Sequence, residues 1–426
     1  MHDNVATVTL KRHPNRIPGG SVFRKLISLS LFMSLAFTAQ VFAHGTVTAP
    51  DKAVSEREIV FPDTAEHKTL VVDLHTHSVF SDGHVWPRIR VEEALRDGLD
   101  AMAVTEHLEY QPHLADIPHG DRNRSVEIAL AAAEGSDLII IKGSEITRGD
   151  PAGHINAIFI TDANKLFNVP NPPADASDVL GYYKAADAWP AQDAVDAASA
   201  QDAFIFWNHP YWNIGKPDAI ARITKFQKDN IKANKLHGIE IANGQDYSAE
   251  AHAIALKYDL AMMGVSDIHD LVDWDYKPHE GGHRPVNLVL AKEKSTAGIR
   301  EALFAKRTLV WFRNLLIARK PEMDAMLAAS MHVTNVAYRD RSQVLDVTIT
   351  NTSDASFNLL NLGKITFMDH ADRITIAANT STTFSVKPGK YVTALELKFS
   401  VENALLAPKK HPTISFTLAP EVPKIP

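Results

Sequence analysis

Short apolar runs that alternate with helix-like stretches between residues 69 and 290 limit the fold of this chain more than any other feature. The runs are rich in Val, Ile, Leu and Phe, as is typical of strands buried on both faces. They cover residues 69–74, 101–105, 138–142, 155–160, 203–207, 238–241, 261–265 and 286–290. Helical candidates stand between several of them, at 88–97, 125–134, 191–200, 218–234 and 248–258. This alternation predicts an α/β fold with a parallel sheet closed into a barrel.

The pattern changes after Phe312. We predict a linker helix over 314–331 and, from 332 to 426, short alternating segments that favour an antiparallel β-sandwich. The barrel is assigned to 69–313 and an irregular lead-in to 44–68. Within the barrel, residues 163–190 are rich in Pro, Asn and Asp and are predicted to form a surface insertion near the site.

The beginning of the chain has the character of an export signal. An apolar run over 26–39 follows Arg24 and Lys25, and the small-residue pattern Val41-Phe42-Ala43 comes after it. The run is short for a membrane span. We predict a signal peptide over 1–43 and a periplasmic or secreted protein, with an uncleaved anchor as the alternative. No membrane span is expected in the mature protein.

The composition limits the binding partners and the metal ligands that this chain can use. The net charge of -7 argues against a general nucleic-acid binder, which would normally present a basic face. The chain has 20 His and no Cys, so any metal must be held by nitrogen and oxygen ligands.

Potential metal ligands follow most of the predicted strands, and the C-terminal strand ends are where α/β barrels place their chemistry. His75 and His77 are two residues apart, so both can reach the same face, and Asp267 and His269 repeat this spacing. The sixth and last strands supply no candidate. The candidate ligands are His75, His77, Asp82, His107, Glu145, His154, His209, Asp267 and His269. These residue types suit Zn, Mn or Fe.

These residues lie in motifs that resemble the PHP family, named for polymerase and histidinol phosphatase domains. The motifs are D-L-H-T-H-S-x-x-S-D-G at 73–83, T-E-H at 105–107, G-S-E-I-T at 143–147, G-H-I-N at 153–156, N-H-P at 208–210 and S-D-I-H at 266–269. The resemblance covers roughly residues 70–312.

The resemblance implies a distorted (β/α)7 barrel with two or three divalent metal ions (Mn, Zn or Fe). Glu145 would bridge the ions, and His75, His77 and Asp267 would hold one ion with it. His107 and His209 would hold another ion. Asp82 and His269 would complete the cluster, with His154 on the second or third ion. Two positions depart from the pattern, because many members have Asp where Glu106 stands and some have His where Asp82 stands.

The export signal, the insertion and the sandwich together resemble secreted PHP phosphodiesterases that hydrolyse small alkyl and aryl phosphate diesters, including organophosphate diesters. The resemblance implies a metal-bound hydroxide as the nucleophile. Glu145, His209, Asp267 and His269 are the expected catalytic residues.

Substrate contacts are a separate prediction. Arg148 follows the third-strand motif and is a candidate for holding a phosphate oxygen, with a solvent-facing loop cation as the alternative. His283, next to Arg284, is a second candidate. Trp207 and Trp212 flank the N-H-P motif and are candidates for an ester-group pocket, while Asp73 is expected to orient a ligand His.

Three alternatives stay open at this point. The same site would serve a phosphomonoesterase of the histidinol-phosphatase type, or an exonuclease. A protein without activity that binds metal or glycan at a surface is the non-enzyme alternative. The expected partner is a small phosphate-ester substrate, no stable nucleic-acid partner is expected, and the oligomeric state stays open.

Overall fold

The computed structural model describes residues 58–212 and 218–423. The predicted signal peptide and most of the predicted lead-in lie outside the described residues. Within the described part of the chain, no helix combines the length and the apolar character needed to cross a membrane.

The first part of the described chain alternates strands and helices. The strands are β1 (Lys68–Asp73), β2 (Ala101–Val104), β3 (Ile139–Ile146), β4 (Ile155–Ile158), β5 (Phe204–Trp207), β6 (Gly238–Asn243), β7 (Asp246–Tyr247), β8 (Ala261–Val265), β9 (Val286–Ala291), β10 (Thr308–Phe312) and β11 (Leu315–Ala318). The helices are α1 (Pro87–Arg96), α2 (Arg124–Ala133), α3 (Val179–Asp187), α4 (Ala191–Ser199), α5 (Lys225–Lys232), α6 (Ala249–Lys257), α7 (Val272–Asp275), α8 (Thr296–Phe304) and α9 (Lys320–Ser330). Short 3₁₀ helices cover Ala163–Leu166 and Pro278–Glu280.

The remaining strands form the C-terminal domain. They are β12 (Met331–Tyr338), β13 (Leu345–Asn351), β14 (Phe357–Asn361), β15 (Thr366–Phe367), β16 (Arg373–Ile376), β17 (Ser381–Lys387), β18 (Leu395–Val401), β19 (Ala404–Leu405) and β20 (Thr413–Leu418). Eight of them make two four-stranded sheets, in the orders β12-β13-β17-β15 and β16-β14-β18-β20, and β19 joins the barrel sheet. Along β13, Leu345, Val347 and Ile349 are buried and alternate with partly exposed residues, as expected of a sandwich.

A mixed sheet of 12 strands curls into a barrel-like wall, in the order β19-β11-β10-β9-β1-β2-β3-β4-β5-β6-β7, with β8 paired to β6. It closes where β8 meets the chain that follows β1. There the Thr76–Ile268 bridge forms, and the Asp267 N–H donates to the His75 carbonyl at 3.0 Å. Gly264 lets β8 lie close to β10, because a Cβ on it would lie 2.2 Å from Cγ1 of Val310.

This architecture confirms the predicted distorted α/β barrel with a C-terminal all-β domain. It differs from a purely parallel sheet, because β4 runs antiparallel to both β3 and β5, and β9 runs antiparallel to β1 and β10. The loop over 147–154 between β3 and β4 contains no helix and is too short for a parallel crossover.

The predicted linker helix over 314–331 is only partly helical. Leu315–Ala318 form β11, which pairs antiparallel with β10, and α9 begins at Lys320. The cause is the two-residue turn Arg313–Asn314 between β10 and β11. Both residues have a positive φ, 46° and 60°. Two-residue hairpin turns of this kind match the twist of the strands that they connect. β19 then pairs in parallel with β11, so a segment of the C-terminal chain extends the barrel sheet.

Candidate metal centre

All nine predicted ligands meet at one end of the barrel, because each lies at or near the end of a strand. His75, His77 and Asp82 follow β1, and His107 follows β2. Glu145 is the next-to-last residue of β3, His154 immediately precedes β4 and His209 follows β5. Asp267 and His269 follow β8. Because β4 is antiparallel, the residue before it lies at the same end as the residues after its neighbours.

Four donor atoms surround one point. His75 Nε2 lies 2.9 Å from His77 Nε2, and both nitrogens lie 3.1–3.2 Å from Glu145 Oε2. Asp267 Oδ1 is 3.1 Å from each of the two nitrogens. Neighbouring ligands at right angles around an ion with bonds of about 2.1 Å would be about 3.0 Å apart. This donor set therefore fits a divalent cation.

Glu145 faces a different group of imidazoles with each oxygen, as the predicted bridging role requires. Oε2 faces His75 and His77 and lies 3.1 Å from His107 Nδ1. Oε1 lies 2.8 Å from His154 Nδ1 and 3.5 Å from His209 Nε2. The structure groups His107 with Glu145 and His154, whereas the resemblance paired His107 with His209.

Asp82 defines a third group with His77, His107 and His269. Its Oδ1 lies 3.1 Å from His269 Nε2, and its Oδ2 lies 3.4 Å from His107 Nε2. Glu106 fixes the turn that carries Asp82, since its carboxylate accepts hydrogen bonds from the Ser78 N–H at 3.0 Å and the Ser81 hydroxyl at 2.5 Å. Glu106 thus supports the cluster from behind, in keeping with its predicted position outside the ligand set.

The electrostatics of the cluster favour positive charge. Burial would raise the pKa of Glu145, but His107, His75 and His154 hold that pKa well below its usual value. Burial would lower the pKa of His77, but hydrogen bonds to Asp267 and Glu145 raise it to about 10. Burial dominates at His154 and lowers its pKa to about 4. Buried carboxylates that attract cationic partners this strongly match the needs of a divalent-cation site.

Glu240 is a member of the site that the sequence prediction missed. It lies inside β6 and is fully buried. Its Oε1 is 2.7 Å from His75 Nδ1, and its Oε2 accepts from the His209 N–H at 2.6 Å and from Asn243 Nδ2 at 2.8 Å. A carboxylate on Nδ1 fixes the ring so that Nε2 faces the cluster. The available signal was one acidic residue between Ile239 and Ile241 in a predicted strand.

Glu240→Gln is expected to weaken metal binding by about 10- to 100-fold, the usual cost of losing a partner that orients a ligand. The amide keeps the shape of the side chain but loses the negative charge beside His75. Competition with a chelator would measure the affinity. Glu92→Gln on α1, where the Glu92 side chain is 63% exposed, makes the same chemical change on the surface and should leave metal affinity unaltered. Equal affinities for the two variants would refute the role of Glu240.

The sequence predicts that Asp73 orients a ligand His, but in the structure its carboxylate has other partners. Its carboxylate instead accepts hydrogen bonds from the Ser266 N–H at 3.1 Å and the Ser266 hydroxyl at 2.5 Å. It also pairs with Arg284 Nη1 at 3.3 Å. Asp73 therefore joins β1 to the segment after β8, directly before Asp267.

The two predicted substrate contacts lie outside the cluster. Arg148 is buried, and its guanidinium lies 3.1 Å from Glu109 Oε1 and donates to the Ala186 carbonyl at 2.7 Å. Its charge faces Glu109, but its Nε and Nη2 have no hydrogen-bond partner among the described residues, and Arg148 lines a small cavity together with His154 and His209. His283 stacks on Trp311 with ring centroids 3.4 Å apart, and both of its nitrogens have backbone partners. Burial lowers the pKa of His283 to about 4, so it supplies no positive charge to a phosphate near neutral pH.

The cluster opens into a cavity of about 620 Å³. Four candidate imidazoles reach it, from His107, His154, His209 and His269. Tyr211, Trp212 and Tyr247 add aromatic surface, and the acidic side chains are Asp82, Asp246, Glu250 and Asp267. Among the residues of 58–212 and 218–423 that line this cavity, none is Lys or Arg.

Comparison with known proteins identifies relatives of both parts. A solved two-domain protein from Bacteroides vulgatus, described as containing a predicted PHP-like metal-dependent phosphoesterase, is 36% identical. The match covers 86% of this chain and 100% of that one, with a TM-score of 0.76. A family model described as an Ig-like domain matches residues 331–417. No curated protein matches the chain.

Two more distant structures align with about half of the chain. One is a putative metal-dependent phosphoesterase from Bifidobacterium adolescentis, 20% identical over 47% of this chain and 88% of that one, with a TM-score of 0.34. The other is an amidohydrolase from Chromobacterium violaceum with bound sulfate and no metal, 17% identical over 47% and 87%, with a TM-score of 0.32. On the full-length match to the Bacteroides protein, the chain belongs to the PHP family of metal-dependent phosphoesterases.

Proposed function

We propose that this protein hydrolyses small alkyl and aryl phosphate diesters, with hydroxide as the nucleophile. The observation that carries the proposal is the contrast between the ligand cluster and the cavity in front of it. The cluster supplies N and O donors at cation spacing, while the described lining of the cavity has aromatic and acidic side chains and no Lys or Arg. A diester has one anionic oxygen and two organic arms, and both features suit this cavity.

The same contrast disfavours a monoester. A monoester brings a second negative oxygen, which would lie near Asp82, Asp246, Glu250 or Asp267 without a basic side chain from the described lining to neutralise it. The described lining of this cavity also has none of the basic side chains that a track for a nucleic-acid strand would need.

The residues divide the work as follows. The four-donor group of His75, His77, Glu145 and Asp267 would hold one divalent ion, and the groups around Glu145 and Asp82 would hold the others. Bound divalent ions supply a hydroxide near neutral pH and neutralise the phosphoryl oxygens. His209 lines the cavity and belongs to none of the donor groups found in the described part of the chain, so it can pass a proton from Nε2 to the leaving oxygen, while His269 would hold an ion through its Nε2. His269 keeps its Nδ1 within 2.7 Å of the Asp267 carbonyl, which leaves its Nε2 directed to the cluster.

We also propose that the protein acts in the periplasm or outside the cell. This proposal rests on the charged, apolar and small-residue order of residues 24–43. Fractionation of cells that express the full chain, followed by N-terminal sequencing of the product, would test it. Recovery of unprocessed protein from the cytoplasm would contradict it.

The substrate proposal predicts a preference that can be measured directly. With bis(p-nitrophenyl) phosphate, kcat/KM of the metal-loaded protein should exceed that for p-nitrophenyl phosphate by roughly ten-fold or more, equivalent to about 1.4 kcal/mol. A chelator should remove both activities, and Mn²⁺ or Zn²⁺ should restore them. A preference for the monoester would overturn the diesterase assignment. Absence of turnover with either ester would favour the binding-protein alternative.

A further inference from the structure

A second cavity, of about 280 Å³, lies beside the metal centre. It shares His154, His209 and Trp212 with the larger cavity. The rest of its lining includes the aromatic residues Trp207 and Tyr183 and the charged residues Arg148 and Asp150. Because two candidate ligands form part of its wall, a group bound there would be adjacent to a phosphoryl group held at the metal centre.

One side of this smaller cavity has aromatic side chains. Trp212 is 44% exposed, and its ring centroid lies 5.3 Å from that of His154 and 5.4 Å from that of His209. Tyr183 projects from α3, in the segment predicted as an insertion near the site. A large apolar ring that stays exposed beside polar ligands is a surface ready for a partner, since aromatic rings bind other rings by offset or edge contacts.

The volume limits the guest to one ring. A cavity of about 150 Å³ is enough for benzene, so 280 Å³ accommodates a single ring with a small substituent. We propose that this cavity is the subsite for one ester arm and that it takes a single aromatic ring. The proposal rests on the diesterase function proposed above and names the arm that the enzyme selects.

Non-hydrolysable phosphinates separate ring binding from catalysis. Methyl(phenyl)phosphinate and dimethylphosphinate differ in one arm, and calorimetry with the Mn²⁺-loaded protein gives both affinities. The phenyl compound should bind more tightly. Trp212→Ala should lower the affinity for the phenyl compound by about ten-fold, the size of an aromatic stacking contact. It should change the affinity for dimethylphosphinate by less than about two-fold. Trp274→Ala, at a 67% exposed position on α7 outside the cavity, should change neither.

Two outcomes would overturn the subsite. One is equal binding of the phenyl and dimethyl compounds by the wild-type protein. The other is an equal loss of both affinities in Trp212→Ala, which would place its effect at the metal centre. A retained ring preference without any diester turnover would refute the proposed function and leave the ring subsite standing.

Discussion

Glu145→Ala is expected to lower diester turnover by roughly a thousand-fold, equivalent to about 4 kcal/mol of transition-state stabilisation. The two oxygens of Glu145 face different imidazole groups, at 2.8 Å from His154 Nδ1 and 3.1 Å from His75 Nε2. Removing the carboxylate takes away the group that the separate donor sets share, so the metal content per chain should fall by at least one ion. Steady-state kinetics and elemental analysis of the purified variant would measure both effects.

The barrel itself should remain folded in this variant. The Glu145 carboxylate contacts imidazoles of the cluster, while β3 is held to β4 through backbone pairs that the substitution leaves intact. Circular dichroism and thermal unfolding would verify the fold. Glu145→Gln keeps the volume but not the charge and should show a similar loss. Near-normal turnover in a folded Glu145→Ala protein would contradict the assignment of this residue.

The convergence of the nine candidate ligands could be predicted because it follows from backbone periodicity. Residues two apart leave a strand on the same face, so the spacing of His75 and His77, and of Asp267 and His269, directs each pair to one place. Strand ends in an α/β barrel meet at one rim. The structure brings these side chains together, while the role of each as a ligand stays a prediction.

The contacts that depend on side-chain direction could not be predicted. Glu240 is inside β6, and the sequence does not tell which face of this strand lies toward His75. Arg148 follows the motif of the third strand, but its guanidinium turns to Glu109 and the Ala186 carbonyl. The antiparallel direction of β4 depends on a short loop, and apolar composition carries no information about strand direction.

The second large effect concerns stability. Arg284→Met is expected to lower the free energy of unfolding by about 3–5 kcal/mol, because it leaves two buried carboxylates without their cation. Arg284 is 1% exposed, and its Nη2 lies 2.8 Å from Asp97 Oδ2 while its Nη1 lies 3.3 Å from Asp73 Oδ2. Chemical denaturation of the metal-free protein would measure the loss without a contribution from bound ions.

Comparison with an exposed pair isolates the effect of burial. Arg373 is 69% exposed and pairs with Glu402 at 2.8 Å, so Arg373→Met should cost about 0–1 kcal/mol. Combining Arg284→Met with Asp73→Asn and Asp97→Asn should recover part of the loss, since the uncompensated charges disappear. Equal destabilisation by Arg284→Met and Arg373→Met would show that the buried pair contributes no more than a surface one.

Arg284→Met should also weaken metal binding, because Arg284 contacts Asp73. Asp73 holds Ser266 by two hydrogen bonds. Asp267 is the next residue and has a φ of 50°. The hydrogen bond from the Asp267 N–H to the His75 carbonyl helps to maintain this backbone conformation. Loss of Arg284 loosens Asp73 and therefore the backbone that positions Asp267 against His75 and His77. Arg284→Met should consequently bind metal more weakly even under conditions where it is fully folded, whereas Arg373→Met should not. A folded Arg284→Met protein with unchanged metal affinity would mean that the barrel closure positions Asp267 without this ion pair.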